Sequence, residues 1–321
     1  MTINVLFAGN LKEKYRDPLE TRFPEVKILA STEEEELLQH IPDADILVGW
    51  GGIISSRLLQ NGKRLKWVHA LTTGVEKFLH PEIVNSDIIL TNSKGLHKYQ
   101  LSEHVFSFIL GFARNQFIFR DLQHKKNWEK LSVRTLAHST LGIIGLGATG
   151  REIARKGKAF DMNVEAVKRN PDRLEGIGLK CVDAVYAPYQ LEEFLPRVDY
   201  LVLSVPLTAE TRHMMGANEL SLLQEHAFLV NVSRGDIIDE SALYRMLAER
   251  CIGGAGLDVF TEEPLPETSP FWELENCFIT PHVAGASPDY NREAIALFRD
   301  NLEAYLRGDT LLNRVDKQKG Y

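Results

Sequence analysis

Short apolar runs recur along the first third of the chain, at residues 3–8, 26–29, 46–48, 67–70 and 88–91. Between them, 33–40 and 56–61 carry helical patterning, each behind a Ser or Thr cap. Such alternation predicts a parallel sheet covered by helices. Residues 101–114, L-S-E-H-V-F-S-F-I-L-G-F-A-R, are apolar on most sides and read as a buried helix. The alternation then resumes, with strands expected at 140–144, 163–167, 199–205, 227–232, 254–259 and 277–280. Helices are expected at 151–160, 189–195, 218–223 and 240–250, and a last one over 289–306 carries Ile295, Leu297, Phe298, Leu302 and Leu306. The pattern predicts two α/β domains, the middle of the chain forming one and the last helix completing the other.

Where the second alternation begins, the strand 140–144 runs directly into Gly145-Leu146-Gly147-Ala148-Thr149-Gly150 and then into a helix. Strand, G-x-G-x-x-G, helix is the setting of a dinucleotide-binding turn. Gly145 would permit the tight turn, Gly147 a close approach of backbone to pyrophosphate, and Gly150 close packing of helix on strand. The helix N-terminus would face the phosphate charge.

Composition narrows the partners. The chain has 321 residues, 44% hydrophobic and 25% charged, which suits a soluble globular protein of two domains. A formal net charge of −7 leaves no electrostatic footprint for nucleic acid or for an anionic membrane. The first ten residues read as a strand rather than a signal peptide, and no window reaches the ~18 apolar residues of a membrane span. Cys181, Cys251 and Cys277 stand far apart in no metal-like spacing, so packing in a reducing compartment, the cytoplasm, is expected and no metal is called for. Residues 115–136 are basic, with Phe117, Phe119 and Trp128 interleaved. Given the acidic whole, an arm on a second subunit or a solvated helix fits them better than a nucleic-acid patch. Two further turns, Trp50-Gly51-Gly52 and Thr72-Thr73-Gly74-Val75, follow strands, where open α/β sheets bind ligands or where glycines merely end strands.

Three residues just after strands in the second half have complementary chemistry: Arg234 in N-V-S-R-G-D, Glu263 in L-D-V-F-T-E-E-P, and His282 in T-P-H-V-A-G. All three would project at the carboxyl edge of one sheet. Reducing a 2-keto acid needs a rigid cation for the carboxylate and carbonyl, which the planar arginine fork supplies. It also needs a proton donor at the carbonyl oxygen, a task suited to histidine. A carboxylate paired with that histidine favours its protonated form and fixes the ring.

With these residues in place, the chain resembles the D-isomer-specific 2-hydroxyacid dehydrogenases over essentially its whole length. The likeness rests on the glycine turn, on Ser204-Val205-Pro206-Leu207-Thr208, and on the three motifs around Arg234, Glu263 and His282. It implies an α/β fold of two Rossmann-like domains with parallel sheets. A nucleotide-binding domain (100–288) would be inserted into a flavodoxin-like substrate domain (1–99 and 289–321), with a hinged cleft between them. It implies a homodimer built on the nucleotide-binding domain, through 115–136. By position, Arg234 would bind the keto acid, His282 would be the acid/base and Glu263 its partner. Asp258 would contact the nicotinamide end, and the Gly74 and Val75 amides would receive the substrate carboxylate, with Trp50 and Gly51 beside the substrate. Val205, Pro206, Thr211, Val232, Ser233, His282 and Gly285 join the glycine turn as cofactor contacts.

Two departures matter. Ser204 stands where relatives often carry histidine. The second nucleotide strand ends Val167-Lys168-Arg169-Asn170, where an acid for the ribose 2′-hydroxyl is expected. Cations there attract a 2′-phosphate instead, and unit charges 4 Å apart interact by about 4 kcal/mol at an effective dielectric of about 20, less when exposed. Glu165 is the alternative ribose acid but falls inside the strand, three positions early. NADPH is therefore expected in preference to NADH, acting on a small 2-keto acid such as glyoxylate or hydroxypyruvate. Phosphoglycerate oxidation and a nucleotide-sensing scaffold without turnover remain as alternatives. Formate oxidation is disfavoured by Glu263.

Overall fold

The computed structural model describes residues 2–171 and 178–321, and the chain divides into two compact units, residues 1–96 with 287–321, and residues 97–286.

In the first unit the strands are β1 (Ile3–Ala8), β2 (Val26–Ser31), β3 (Ile46–Gly49), β4 (Trp67–Ala70) and β5 (Ile89–Asn92). Between them lie α1 (Glu13–Arg22), α2 (Glu34–His40), α3 (Ser56–Asn61) and α4 (Pro81–Val84). Among the described residues the sheet is fully parallel in the order β2-β1-β3-β4-β5, so its topological switch point lies between β1 and β3. β3 and β4 are buried along their whole length, which is why they read as apolar runs broken only by His69. The C-terminal helix, Tyr290–Arg307, packs on this sheet. Its Phe298 ring stacks on Trp67 at 5.4 Å and meets Phe7 edge-on at 5.3 Å. The sequence pattern did not predict α1, because Leu19 is its only buried residue and its composition is almost wholly polar.

The second unit runs α5 (Lys98–Ala113), α6 (Gln116–His124), β6 (Thr140–Ile144), α7 (Ala148–Ala159), β7 (Asn163–Val167), α8 (Gly178–Cys181) and β8 (Ala184–Tyr186). It continues with α9 (Leu191–Phe194), β9 (Tyr200–Leu203), α10 (Ala217–Ser221), β10 (Phe228–Asn231), α11 (Glu240–Ala248), β11 (Gly254–Leu257) and β12 (Cys277–Ile279). Among the described residues the sheet is again parallel, ordered β12-β11-β10-β9-β6-β7-β8. That is a doubly wound order with its switch point between β6 and β9. α5 is buried through Val105, Phe106, Phe108 and Ile109. Three expectations change. The strands expected at 199–205 and 254–259 stop at Leu203 and Leu257, where the chain leaves the ladder for loops. The helix expected over 189–195 is a single α turn between two 3-10 turns. The three-residue edge strand β8 was too short to be seen in the pattern.

Candidate active site

The glycine turn has three geometric demands, one per glycine. Gly145 has φ of 104°, and an added Cβ there would stand 2.4 Å from the Ser204 carbonyl oxygen. At Gly150 it would stand 2.0 Å from the Gly145 carbonyl oxygen, so only glycine lets α7 sit against β6. At Gly147 it would meet nothing within 4 Å, so the turn is open outward at the position where backbone must approach a phosphate. Gly147 caps α7 without any side-chain hydrogen bond, leaving the first-turn amides of Ala148, Thr149 and Gly150 oriented for an anion. Leu146 is buried below the turn. These features fit a dinucleotide pyrophosphate at the switch point.

Across that point the chain leaves β9 for Val205 and Pro206, with the Ser204 amide donating to the Ile144 carbonyl at 2.8 Å. Thr211 turns its hydroxyl inward on its own loop, donating to the Pro206 carbonyl at 2.7 Å and accepting from the Thr208 amide at 2.8 Å. On the other side of β6, Glu165 lies within β7 opposite Gly142 and is buried. Arg197 donates to both its oxygens, with Nη2 2.9 Å from Oε1. Glu165 is thus committed to an ion pair within the sheet. Lys168 and Arg169 follow the strand at its carboxyl end, and the exposed Arg169 guanidinium reaches Glu210 at 2.5 Å.

Arg234, Glu263 and His282 follow β10, β11 and β12, three adjacent parallel strands, so all three lie at one edge of the sheet. Asn231, buried at the end of β10, shapes the first loop. Its Oδ1 accepts from the Ser233 amide and hydroxyl at 3.0 and 2.8 Å, while its Nδ2 donates to the Arg234 carbonyl at 2.9 Å. Val232 and Ser233 are buried in that turn, and Arg234 Nη1 donates to the Ser233 carbonyl at 2.7 Å. The next residue, Gly235, presses against the following loop: an added Cβ would stand 2.0 Å from the Phe260 carbonyl carbon. In that loop the Phe260 amide donates to Glu263 Oε1 at 3.0 Å, and Glu263 Oε2 lies 2.7 Å from His282 Nδ1. One carboxylate oxygen is therefore pinned by backbone while the other holds the imidazole.

His282 sits at a positive φ of 52°. The loop that carries it is held by Asp258, one residue past β11. The Asp258 carbonyl accepts from the His282 amide at 2.8 Å. Its Oδ1 accepts from the Thr280 hydroxyl at 2.5 Å and the Val283 amide at 2.9 Å, and Oδ2 accepts from the Ala284 amide at 2.9 Å. Asp258, expected at the nicotinamide end, has its carboxylate largely engaged in shaping the loop that carries His282. Gly285 closes the loop, its carbonyl 3.0 Å from His97 Nδ1. Asn231 and Gly235 were not singled out by sequence; N-V-S-R-G contains both, but nothing local marks them as supports.

The remaining expected residues belong to the first unit. Trp50 and Gly51 follow β3 at the switch point of that sheet, the Trp50 ring 5.9 Å from Tyr290. An added Cβ at Gly51 would stand 2.7 Å from Lys77 Cβ, so glycine lets this turn close on the residues after Val75. Gly74 and Val75 follow β4. The Thr72 hydroxyl donates to the Gly74 carbonyl at 2.7 Å, and Asn92 Nδ2 to the Thr73 carbonyl at 2.7 Å, which fixes the turn.

Among the described residues no group of His, Cys, Asp and Glu forms a metal site, and no helix is long and apolar enough to cross a membrane. Residues 106–284 match the family model described as D-isomer specific 2-hydroxyacid dehydrogenase, NAD binding domain. A glyoxylate reductase of Korarchaeum cryptofilum is 31% identical, across 90% of this chain and 88% of its own length. A D-3-phosphoglycerate dehydrogenase of Methanocaldococcus jannaschii is 31% identical across 91% of this chain, which spans only 55% of that protein. Among solved structures, the NADPH-dependent glyoxylate/hydroxypyruvate reductase of Sinorhizobium meliloti, in complex with NADP and sulfate, superposes with a TM-score of 0.86 at 26% identity, covering all of both chains.

Proposed function

The chain belongs to the D-isomer-specific 2-hydroxyacid dehydrogenase family, and from that premise we propose that it reduces a small 2-keto acid of the glyoxylate or hydroxypyruvate type to the D-2-hydroxy acid, and catalyses the reverse. The coarser statement, a nicotinamide-linked oxidoreductase acting on a CH–OH group, follows from the family. The observation that carries the finer one is the 2.7 Å His282–Glu263 pair at the sheet edge where the Arg234 loop also ends.

A bound nicotinamide dinucleotide supplies the hydride for the carbonyl carbon. The glycine turn and the start of α7 would hold its pyrophosphate, and Lys168 and Arg169 at the end of β7 would favour a 2′-phosphate, so NADPH is the preferred form. The Arg234 guanidinium would grip the keto acid with its fork of donors. His282 has Nδ1 committed to Glu263, so Nε2 is the atom that passes a proton to the carbonyl oxygen as it gains charge. In the reverse direction Nε2 takes the hydroxyl proton. Glu263 keeps the ring aimed, and the Phe260 amide keeps Glu263 aimed.

A second copy of the chain docks on residues 115–136 in this reading. There α6 buries none of its residues in the unit and Phe117, Ile118, Trp128 and Val133 are exposed. The reaction is tested by following the loss of reduced-nicotinamide absorbance with glyoxylate or hydroxypyruvate and either NADPH or NADH. Faster oxidation of NADPH supports both parts of the proposal. Faster oxidation of NADH keeps the reaction and removes the Lys168–Arg169 argument. No oxidation across a panel of 2-keto acids removes the proposal. Oxidation of 3-phosphoglycerate, favoured by the likeness to the Methanocaldococcus enzyme, is the second reading and is decided by the same assay run in reverse.

A further inference from the structure

Helix α5 lies across β11 in a register that glycine makes possible. Along one face of β11 the side-chain positions are Gly254, Gly256 and then Asp258, just beyond the strand. An added Cβ at Gly254 would stand 3.3 Å from Phe112 Cε2, and one at Gly256 2.6 Å from Phe108 Cγ. Each phenylalanine ring thus occupies the space a strand side chain would fill. The next step of four residues along α5 arrives at His104. Four helical residues rise about 6 Å and two strand residues about 6.6 Å, so the helix and strand positions stay in step. His104 consequently lies over the carboxyl end of β11, its ring edge-on to Phe108 at 4.8 Å.

Its Nε2 is 2.9 Å from Thr280 Oγ1 and 3.7 Å from Asp258 Oδ1. Thr280 has one hydroxyl hydrogen, and the 2.5 Å contact to the Asp258 carboxylate uses it. Thr280 Oγ1 therefore accepts from His104 Nε2–H, which assigns the tautomer. Burial holds His104 below the usual histidine range against the opposing pull of Asp258, so the ring is neutral near pH 7. The line of bonds runs from α5 through Thr280 to the carboxylate that holds Val283 and Ala284, the two residues after His282.

We infer that His104 is a positioning residue: by donating to Thr280 it fixes the hydroxyl that orients the Asp258 carboxylate, and so fixes the loop that aims His282. The inference rests on reading His282 as the acid/base. It differs from a packing role because it depends on an N–H at one point, which leucine lacks and glutamine can offer.

The test uses the full chain and the variants His104→Leu, His104→Gln, Thr280→Val and the double variant His104→Leu/Thr280→Val. With NADPH and hydroxypyruvate, His104→Leu should lower kcat about tenfold while KM and NADPH binding, followed by fluorescence, stay within about twofold. His104→Gln should recover kcat to within about threefold of wild type. The double variant should lose no more than the weaker single one, because both break the same line. Independently of turnover, deuterium should enter the Val283 and Ala284 amides faster in His104→Leu and at the wild-type rate in His104→Gln. Unchanged kcat in His104→Leu, failure of glutamine to recover it, multiplying losses, or unchanged exchange at 283–284 each overturns the inference. A wild-type chain that reduces no 2-keto acid removes the functional reading instead, and amide exchange alone then decides the role of His104.

Discussion

Gly235→Ala is the substitution that most directly probes how the candidate site is assembled. The methyl group would be built 2.0 Å from the Phe260 carbonyl carbon, 2.2 Å from the Thr261 amide nitrogen and 2.5 Å from the Phe260 carbonyl oxygen. Carbon atoms rest about 3.5 Å apart, so the two loops must separate by about 1.5 Å. The obstacle is backbone on both sides, so no rotamer change relieves it. One loop carries Arg234 and the other carries the amide that pins Glu263, so the separation moves the guanidinium relative to the His282–Glu263 pair. Misplacement by about 1 Å costs on the order of 10²-fold in rate. Overpacking of this kind destabilises by about 1–3 kcal/mol, which lowers Tm by roughly 5 °C in a unit of this size. The assay is steady-state reduction of hydroxypyruvate with NADPH, alongside a thermal melt with and without NADPH. The expected result is a kcat/KM down about a hundredfold with a lowered Tm. Wild-type turnover together with a wild-type melt would refute the close approach of the two loops. A lowered melt with intact turnover would uphold the packing and refute its link to the site.

His282→Asn should reduce kcat by about 10²–10⁴-fold while NADPH still quenches protein fluorescence with an unchanged Kd, and retained turnover would remove the acid/base assignment. The double change Lys168→Ala/Arg169→Ala should cut the ratio of kcat/KM for NADPH over NADH by about tenfold or more. That estimate is discounted for the exposure of Arg169 and its pairing with Glu210, and an unchanged ratio would place the cofactor preference elsewhere. In the first unit His69 is fully buried with Nε2 unpartnered, and burial lowers its pKa to about 3. Because the folded form resists a proton that the unfolded chain accepts below about 6.5, its contribution is complete above that pH and is lost as pH falls towards 3, by up to about 1.4 kcal/mol per pH unit. Urea midpoints measured between pH 7 and 4.5 should therefore fall less steeply in His69→Gln than in wild type; parallel slopes would show that His69 does not titrate on unfolding.

The sequence by itself determined the elements and the chemistry available at the sheet edge. Strands such as Trp67–Ala70 and Asn163–Val167 were legible to the residue, because a parallel strand covered on both faces is mostly apolar along its length. The turn at Gly145–Gly150 was legible because Gly145 and Gly150 answer to atoms within the same strand–turn–helix unit or just past the next strand over. Only the tertiary structure decided which residues hold the site in place. Nothing local ties His104 to Thr280, 176 residues away, or Gly235 to the Phe260 backbone. Those contacts depend on how α5 registers on β11 and how neighbouring loops abut once the strands are ordered. A side chain or glycine whose partner comes from another strand leaves no periodic trace in its own segment. Hydrophobic period specifies what each segment becomes; the order and register of the sheet specify what each loop touches.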